Sequence, residues 1–206
     1  MDIVSYLMGK AAGGGGSGGN LLLNWDFRSN SPLVDTIKGV TLTSSGVTFD
    51  SDGAHFHSAT DVISDIPTLA GYGAVEIDVG AMALQTSSSN QRFIMANDSS
   101  QQGLIYRSGG KWGVYFGGWN DTTSLSGSEF ANSTIRVVQD TNGHWKFYKD
   151  GELWFTPTRT KIITALMIGY ASDAIMDGII KAVRVLGMEA TQRKTGRNSS
   201  ARRLCA

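Results

Sequence analysis

The stretch Ser133–Phe155, STIRVVQDTNGHWKFYKDGELWF, decides the fold class. Ile135, Val137 and Gln139 alternate with Arg136, Val138 and Asp140. Beyond the D-T-N-G break, Trp145, Phe147 and Lys149 alternate with Lys146 and Tyr148. A period of two sorts side chains onto the two faces of a strand, whereas a helix would bury neither set consistently. Asn142-Gly143 and Asp150-Gly151 stand where the alternation stops. Such dipeptides accept the left-handed backbone of tight hairpin turns, so antiparallel strands are predicted in succession.

The pattern extends to both sides. Leu21, Leu23, Trp25 and Phe27 form an apolar set against Leu22, Asn24 and Asp26, and Pro32 separates this strand from the next element. Thr41, Thr43 and Thr48 supply β-branching between turn signals at Ser44-Ser45-Gly46 and Ser51-Asp52-Gly53. Ile63–Leu69, which contains Pro67, reads as a loop or a single helical turn. In Gly73–Leu84, Val75, Ile77 and Val79 oppose Glu76 and Asp78 as on a strand. Arg92–Met95 and Gln102–Arg107 read as a pair, followed by a strand at Lys111–Phe116 and a turn-rich loop at Gly117–Ser128. Lys161–Ile168, bounded by Pro157 and Gly169, reads as turn plus strand. In Gly178–Leu186, Ile179, Lys181, Val183 and Val185 alternate with Ile180, Ala182, Arg184 and Leu186. Many short strands with no long helical pattern predict an all-β antiparallel sandwich, and 206 residues suffice for one good core.

The chain carries 18 basic and 18 acidic side chains, so no global charge argues for nucleic acid or a membrane surface. Its one cysteine, Cys205, excludes an internal disulfide and a Cys-based zinc site. Asp2 and Gly9-Lys10 break the run an export signal needs, and no stretch is apolar enough to span a bilayer. Residues 1–10, MDIVSYLMGK, read either as a frayed terminus or as an anchoring peg that enters a partner subunit through Ile3, Val4, Tyr6, Leu7 and Met8. Residues 11–20 are a glycine-rich tether; a phosphate-binding loop would need a lysine after the last glycine, where Asn20-Leu21 stands instead. The sandwich is assigned to 21–190. Residues 191–206 form a basic tail with Arg193, Lys194, Arg197, Arg202 and Arg203, either solubilising or an arm for acidic protein surface or nucleic acid. No aromatic residue is interleaved there, so base stacking has no support.

Five phrases carry a family resemblance: W25-D-F27, FDSDGAHF from Phe49, TIRV from Thr134, GHWKFYKDGE from Gly143 and DGIIKAVRVL from Asp177. Together they resemble the concanavalin A-like lectin/glucanase superfamily, and within it most closely the laminin G-like modules. The resemblance implies a jelly-roll sandwich over roughly Leu21–Ala190. Tyr6–Lys10 with the glycine run after it is similar to the start of structural proteins of phages and prophages of Gram-positive bacteria.

For hydrolysis the candidate is Glu76-Ile77-Asp78-Val79, similar to the Glu-x-Asp phrase of laminarinase-like enzymes. Gly80 and Ala81 stand where that phrase has its second Glu. A retaining glycosidase needs two carboxyls flanking the bond, so no catalysis is expected and Glu76 and Asp78 read as solvated carboxylates. His55 and His57 lack a marked third metal ligand and read as surface histidines, as does His144; Cys205 has no histidine nearby in sequence. No cofactor is expected apart from calcium, which the resemblance admits at Asp98, Asn120 and Asp121. The densest sugar-binding composition is Trp112, Tyr115, Trp119, Asn120 and Asp121. Trp25, Trp112, Trp145 and Trp154 suit a sandwich core equally well, which leaves Trp119, Asn120, Asp121 and Tyr115 as the carbohydrate-binding candidates. The leading expectation is a non-enzymatic virion protein made in the bacterial host cytoplasm: a capsid decoration, head fibre or tail-associated subunit. It would assemble with other virion proteins and with copies of itself and present a lectin-like surface to cell-surface glycan, without membrane or nucleic acid. A free carbohydrate-binding lectin-like module and an inactive glycoside hydrolase-like domain are the alternatives.

Overall fold

The Ser133–Phe155 stretch folds as a three-stranded meander of β11 (Thr134–Gln139), β12 (Trp145–Lys149) and β13 (Glu152–Phe155). Asp150 and Gly151 both take positive φ, 51° and 86°, between the paired residues Lys149 and Glu152. That is the mirror-image two-residue turn whose twist matches its strands. The first turn is longer. Asp140 Oδ1 accepts hydrogen bonds from the backbone N–H groups of Asn142 (2.8 Å) and His144 (2.9 Å), and only Gly143 has positive φ. Ile135, Val137, Trp145 and Phe147 are buried on the inner face. Gln139, on the same face, is buried too. Its Oε1 accepts from Ile163 N–H at 2.8 Å and its Nε2 donates to Ile163 C=O at 2.8 Å. The amide thereby does for Ile163 what a neighbouring strand's peptide group would do.

The computed structural model describes residues 20–58, 60–71, 73–83, 91–97, 103–108, 111–115, 119–123, 130–169 and 177–187. Of these, Ala83, Gln91, Arg92, 103–108, 111–112 and 119–123 are described by backbone alone. The anchoring candidates Ile3, Val4, Tyr6, Leu7 and Met8, the glycine run and the basic tail lie outside the described residues. Numbered in chain order, the other strands are β1 (Leu21–Asp26), β2 (Thr43–Ser45), β3 (Thr48–Asp50), β4 (Gly53–Phe56), β5 (Val62–Pro67) and β6 (Gly73–Ala83). They continue with β7 (Gln91–Ala96), β8 (Gly103–Ser108), β9 (Lys111–Tyr115), β10 (Trp119–Thr123), β14 (Ala165–Gly169) and β15 (Asp177–Gly187).

The chain is an all-β antiparallel sandwich, as its alternation predicts. Among the described residues, an eight-stranded sheet runs β13-β12-β11-β6-β15-β4-β3, with β1 also on β15, and a seven-stranded sheet runs β10-β9-β8-β7-β14-β5-β2. On the edge of β15 away from β6, β4 opposes Gly178–Ile180 and β1 opposes Ala182–Leu186. One core joins the facing sheets: Trp25, Phe56, Ile77, Val137, Phe147 and Val183 from the first meet Ile63, Ile66, Phe93, Val114, Leu166 and Ile168 from the second. Truncating one of the large aromatic residues here, Trp25 for example, would cost about 3–5 kcal/mol.

Three expectations are corrected, all by bulges. Ile63–Leu69 is not a loop or helical turn but contains most of β5. Asp65, at φ 70°, takes up an extra residue, so Ile63 and Ile66 both face the core opposite Ile168 and Leu166. Pro67 is tolerated because β2 pairs only with Val62–Ser64, leaving that edge without a ladder partner among the described residues. Leu21 does not join Leu23 and Trp25 inside: the register shifts between Leu21 and Leu23, leaving Leu21 45% exposed and Leu22 buried. Along the β6–β15 ladder two register shifts, one with its extra residue in β6 and one in β15, break the expected alternation, and Ile180, Ala182, Val183 and Val185 are all buried.

Gly151 and Gly169 separate two roles of glycine. Both have positive φ, but no described atom lies within 4 Å of a Cβ at Gly151, whereas at Gly169 it would meet Asp61 O at 2.4 Å. Gly151→Ala should lose about 1–2 kcal/mol in urea denaturation, the left-handed penalty alone. Gly169→Ala should lose clearly more or fail to fold. Equal losses would show that close packing at Gly169 contributes nothing.

Candidate functional site

The candidate sugar-binding residues lie at one edge of the seven-stranded sheet. Gly117–Ser128 reads in sequence as turn-rich, but Trp119–Thr123 within it is strand β10 and, among the described residues, pairs with β9 alone. Thr122-Thr123 supplies β-branched residues that suit the pleat. The register sets Trp119 opposite Tyr115, Asn120 opposite Val114 and Asp121 opposite Gly113. Val114 is buried in the core while its neighbour Tyr115 is 44% exposed, so β9 turns one face inward and one outward. Tyr115, Trp119, Asn120 and Asp121 therefore come together in the backbone. They sit on paired strands, not in the loop that the calcium expectation used. Asp98, the other calcium candidate, lies outside the described residues. Among the described residues no group of three or more His, Cys, Asp or Glu is placed to hold a metal ion.

Glu76 and Asp78 occupy the outer face of β6, but they are not the freely solvated carboxylates expected. Arg184 Nη2 donates to Asp78 Oδ1 at 2.6 Å, and Thr134 Oγ1 donates to the same oxygen at 3.0 Å. Glu76 lies 3.7 Å from a guanidinium nitrogen of Arg136 on one side and of Arg184 on the other. Burial works against the charge of Arg184, but the Asp78 hydrogen bond and the charges of Asp78 and Glu76 outweigh it and hold the guanidinium above its ordinary range. The arginines escaped sequence reasoning because their meeting depends on register across β15, β6 and β11, which no local spacing encodes.

The histidines are each set against an aspartate. His144 Nδ1 lies 2.8 Å from Asp140 Oδ2, and His57 Nδ1 lies 3.9 Å from Asp177 Oδ1; both side chains are exposed. His55 differs from expectation: its side chain is only 17% exposed, with Nε2 2.8 Å from Asp50 Oδ1. The rings of His55 and His57 lie 5.7 Å apart. Beside them Asp61 is buried and organises the turn, accepting from His57 N–H (2.6 Å), Ser58 N–H (2.9 Å) and Ser58 Oγ (2.8 Å). Burial opposes its ionisation, but these hydrogen bonds prevail and hold the carboxyl below the usual range. Asp140 is lowered in the same way, its burial outweighed by hydrogen bonds from His144 and Asn142.

No protein-family model matches the sequence, and no curated protein matches it. Solved structures are similar in fold. A Trypanosoma rangeli sialidase matches with TM-score 0.59 at 12% identity, over 85% of this chain and 32% of the sialidase. The receptor binding domain of botulinum neurotoxin C/D mosaic serotype matches with TM-score 0.54 at 13% identity, over 88% of this chain and 51% of that one. That of botulinum neurotoxin type G matches with TM-score 0.53 at 15% identity, over 86% and 50%. This chain spans about a third of the sialidase and about half of each of the two neurotoxin domains. The likeness establishes the sandwich fold, in agreement with the fold that the concanavalin A-like resemblance implies.

A carboxyl with a folded-state value below its unfolded one stabilises the fold above the unfolded value, and that stabilisation is lost as pH falls through the folded value. Asp61 and Asp140 are both of this kind. Thermal melts should therefore fall steadily from about pH 4 downward. Asp61→Asn should lower stability at neutral pH and flatten this acid slope; an unchanged slope would refute the role given to Asp61.

Proposed function

We propose that this sandwich is a non-catalytic carbohydrate-binding module whose ligand surface is centred on β9 and β10. The observation that carries the reading is Tyr115, a large aromatic side chain left 44% exposed and set opposite Trp119 across the strand pair. Residues directly opposite in an antiparallel pair belong to one face of a sheet, within reach of one another. Tyrosine and tryptophan are the residue types that stack on the C–H face of a pyranose ring, and Asp121, two positions beyond Trp119 and on its face by register, suits a hydroxyl group, whereas Asn120 stands opposite the buried Val114 on the other face. Among the described residues β10 pairs with β9 alone, which leaves its other edge to an extended saccharide.

Chains of similar fold include a sialidase in complex with sialic acid and receptor binding domains of botulinum neurotoxins, which agrees with a surface directed at a cell-surface ligand. The arginine partners of Glu76 and Asp78 agree with the non-catalytic part of the reading, since a retaining glycosidase needs two carboxyls free to flank the scissile bond.

A glycan array with the wild type should give a defined set of retained glycans. Tyr115→Ala and Trp119→Ala should each weaken that binding at least about tenfold, equivalent to roughly 1.4 kcal/mol. Circular dichroism should show both variants folded. Absence of any retained glycan for the wild type, or undiminished binding by both variants, would overturn the proposal.

A further inference from the structure

The outer face of the eight-stranded sheet carries a second, differently built surface. Register across β1, β15, β6, β11, β12 and β13 aligns Asn24, Arg184, Glu76, Arg136, Tyr148 and Leu153 in one transverse row. Lys146 joins it from the next row, opposite Val138. Arg184 already hydrogen-bonds Asp78, and Glu76 is shared by both arginines at 3.7 Å, beyond hydrogen-bonding distance. The Arg136 side chain donates no hydrogen bond to any of the described residues, and its Nε is buried without a partner among them. Its side chain is 36% exposed, so the accessible donors are the terminal nitrogens. Neither the Tyr148 hydroxyl nor the exposed Lys146 ammonium has a partner among the described residues. Three cations (Arg136, Arg184 and Lys146) thus face two carboxylates, Glu76 and Asp78, leaving one positive charge uncompensated beside unused donors.

That surplus suits a single negative group. A guanidinium fork holds a carboxylate through two parallel N–H···O bonds, which a point charge does not reproduce. Tyr148 lies directly opposite Arg136, about 5 Å away between Cβ atoms, and Lys146 lies diagonally at about 7–8 Å. Leu153, 57% exposed, extends the apolar surface beyond Tyr148. A cation pair flanking an aromatic ring and an aliphatic side chain matches a sugar ring that bears an acid. We propose that Arg136, Tyr148 and Lys146 form a recognition site for the carboxylate of a uronic-acid saccharide. The saccharide part rests on the carbohydrate-binding reading above. The preference for an anion does not, and the site belongs to the opposite sheet from β9 and β10.

Calorimetric titration of the full chain with oligogalacturonate, its fully methyl-esterified form and an oligoglutamate tests this directly. Oligogalacturonate should bind, and both the esterified form and oligoglutamate should bind at least tenfold more weakly. Arg136→Lys, which keeps the charge and removes the fork, should lose most of the affinity, and Lys146→Gln should lose several-fold. Should Arg136 variants misfold by circular dichroism, the exposed Lys146→Gln and the ester comparison decide. No binding of oligogalacturonate, equal binding of the ester, or equal binding of oligoglutamate would each overturn the inference. Neutral glycans retained through Tyr115 without uronate binding would refute this site alone; uronate binding without any Tyr115-dependent glycan would refute the other site alone.

Discussion

The pairing of β6 with β15 is the constraint on which the eight-stranded sheet depends. The strands oppose each other along their length, from Asp177 and Ala83 to Gly187 and Gly73. β11 takes its register from β6, and β1 and β4 take theirs from β15, so every inward or outward assignment in that sheet derives from this ladder. A slip of one residue would turn Glu76 and Asp78 toward the aromatic core and Val75 and Ile77 toward water. Carboxylates buried without partners are strongly unfavourable, so the register is tightly specified. Glycine permits the close approach: a Cβ at Gly53 would meet Ile180 O at 2.4 Å, which would push β4 off β15.

The two sheets are held by more than apolar contact. Gln139 reaches from β11 to both backbone groups of Ile163, just ahead of β14, and Thr68 Oγ1 donates to the same Ile163 carbonyl. A buried peptide group left without partners would cost about 1–3 kcal/mol, so this amide both satisfies and orients the segment that leads into the second sheet. The same meander therefore serves on both sides. Its inner face supplies Trp145, Phe147 and Gln139 to the sandwich interior, while its outer face presents Arg136, Lys146 and Tyr148.

Much of this was legible in the chain. Alternation in Thr134–Lys149, the two turns and the paired strands around Asn97 all recur in the structure, because each depends on residues near one another in sequence. The candidate site was legible only as composition. Tyr115, Trp119, Asn120 and Asp121 were marked by aromatic and polar density, whereas their arrangement on two paired strands was hidden by the glycines before Trp119. The acid cluster at Glu76 reads as solvated in sequence because its partners, Arg136 and Arg184, lie 60 and 108 positions away.

The sequence by itself determined the period of each strand, the turn positions and hence the all-β antiparallel class, since those rest on local sterics and on which side chains avoid water. Tertiary structure alone decided where bulges shift the phase, at Leu21–Leu23, at Asp65 and twice along the β6–β15 ladder. It alone decided that Trp119–Thr123 is a strand and which charges stand side by side on the outer face. The reason is common to all of these. A bulge, an edge strand and a cross-strand ion pair are properties of two chain segments in register, and neither segment carries that register alone.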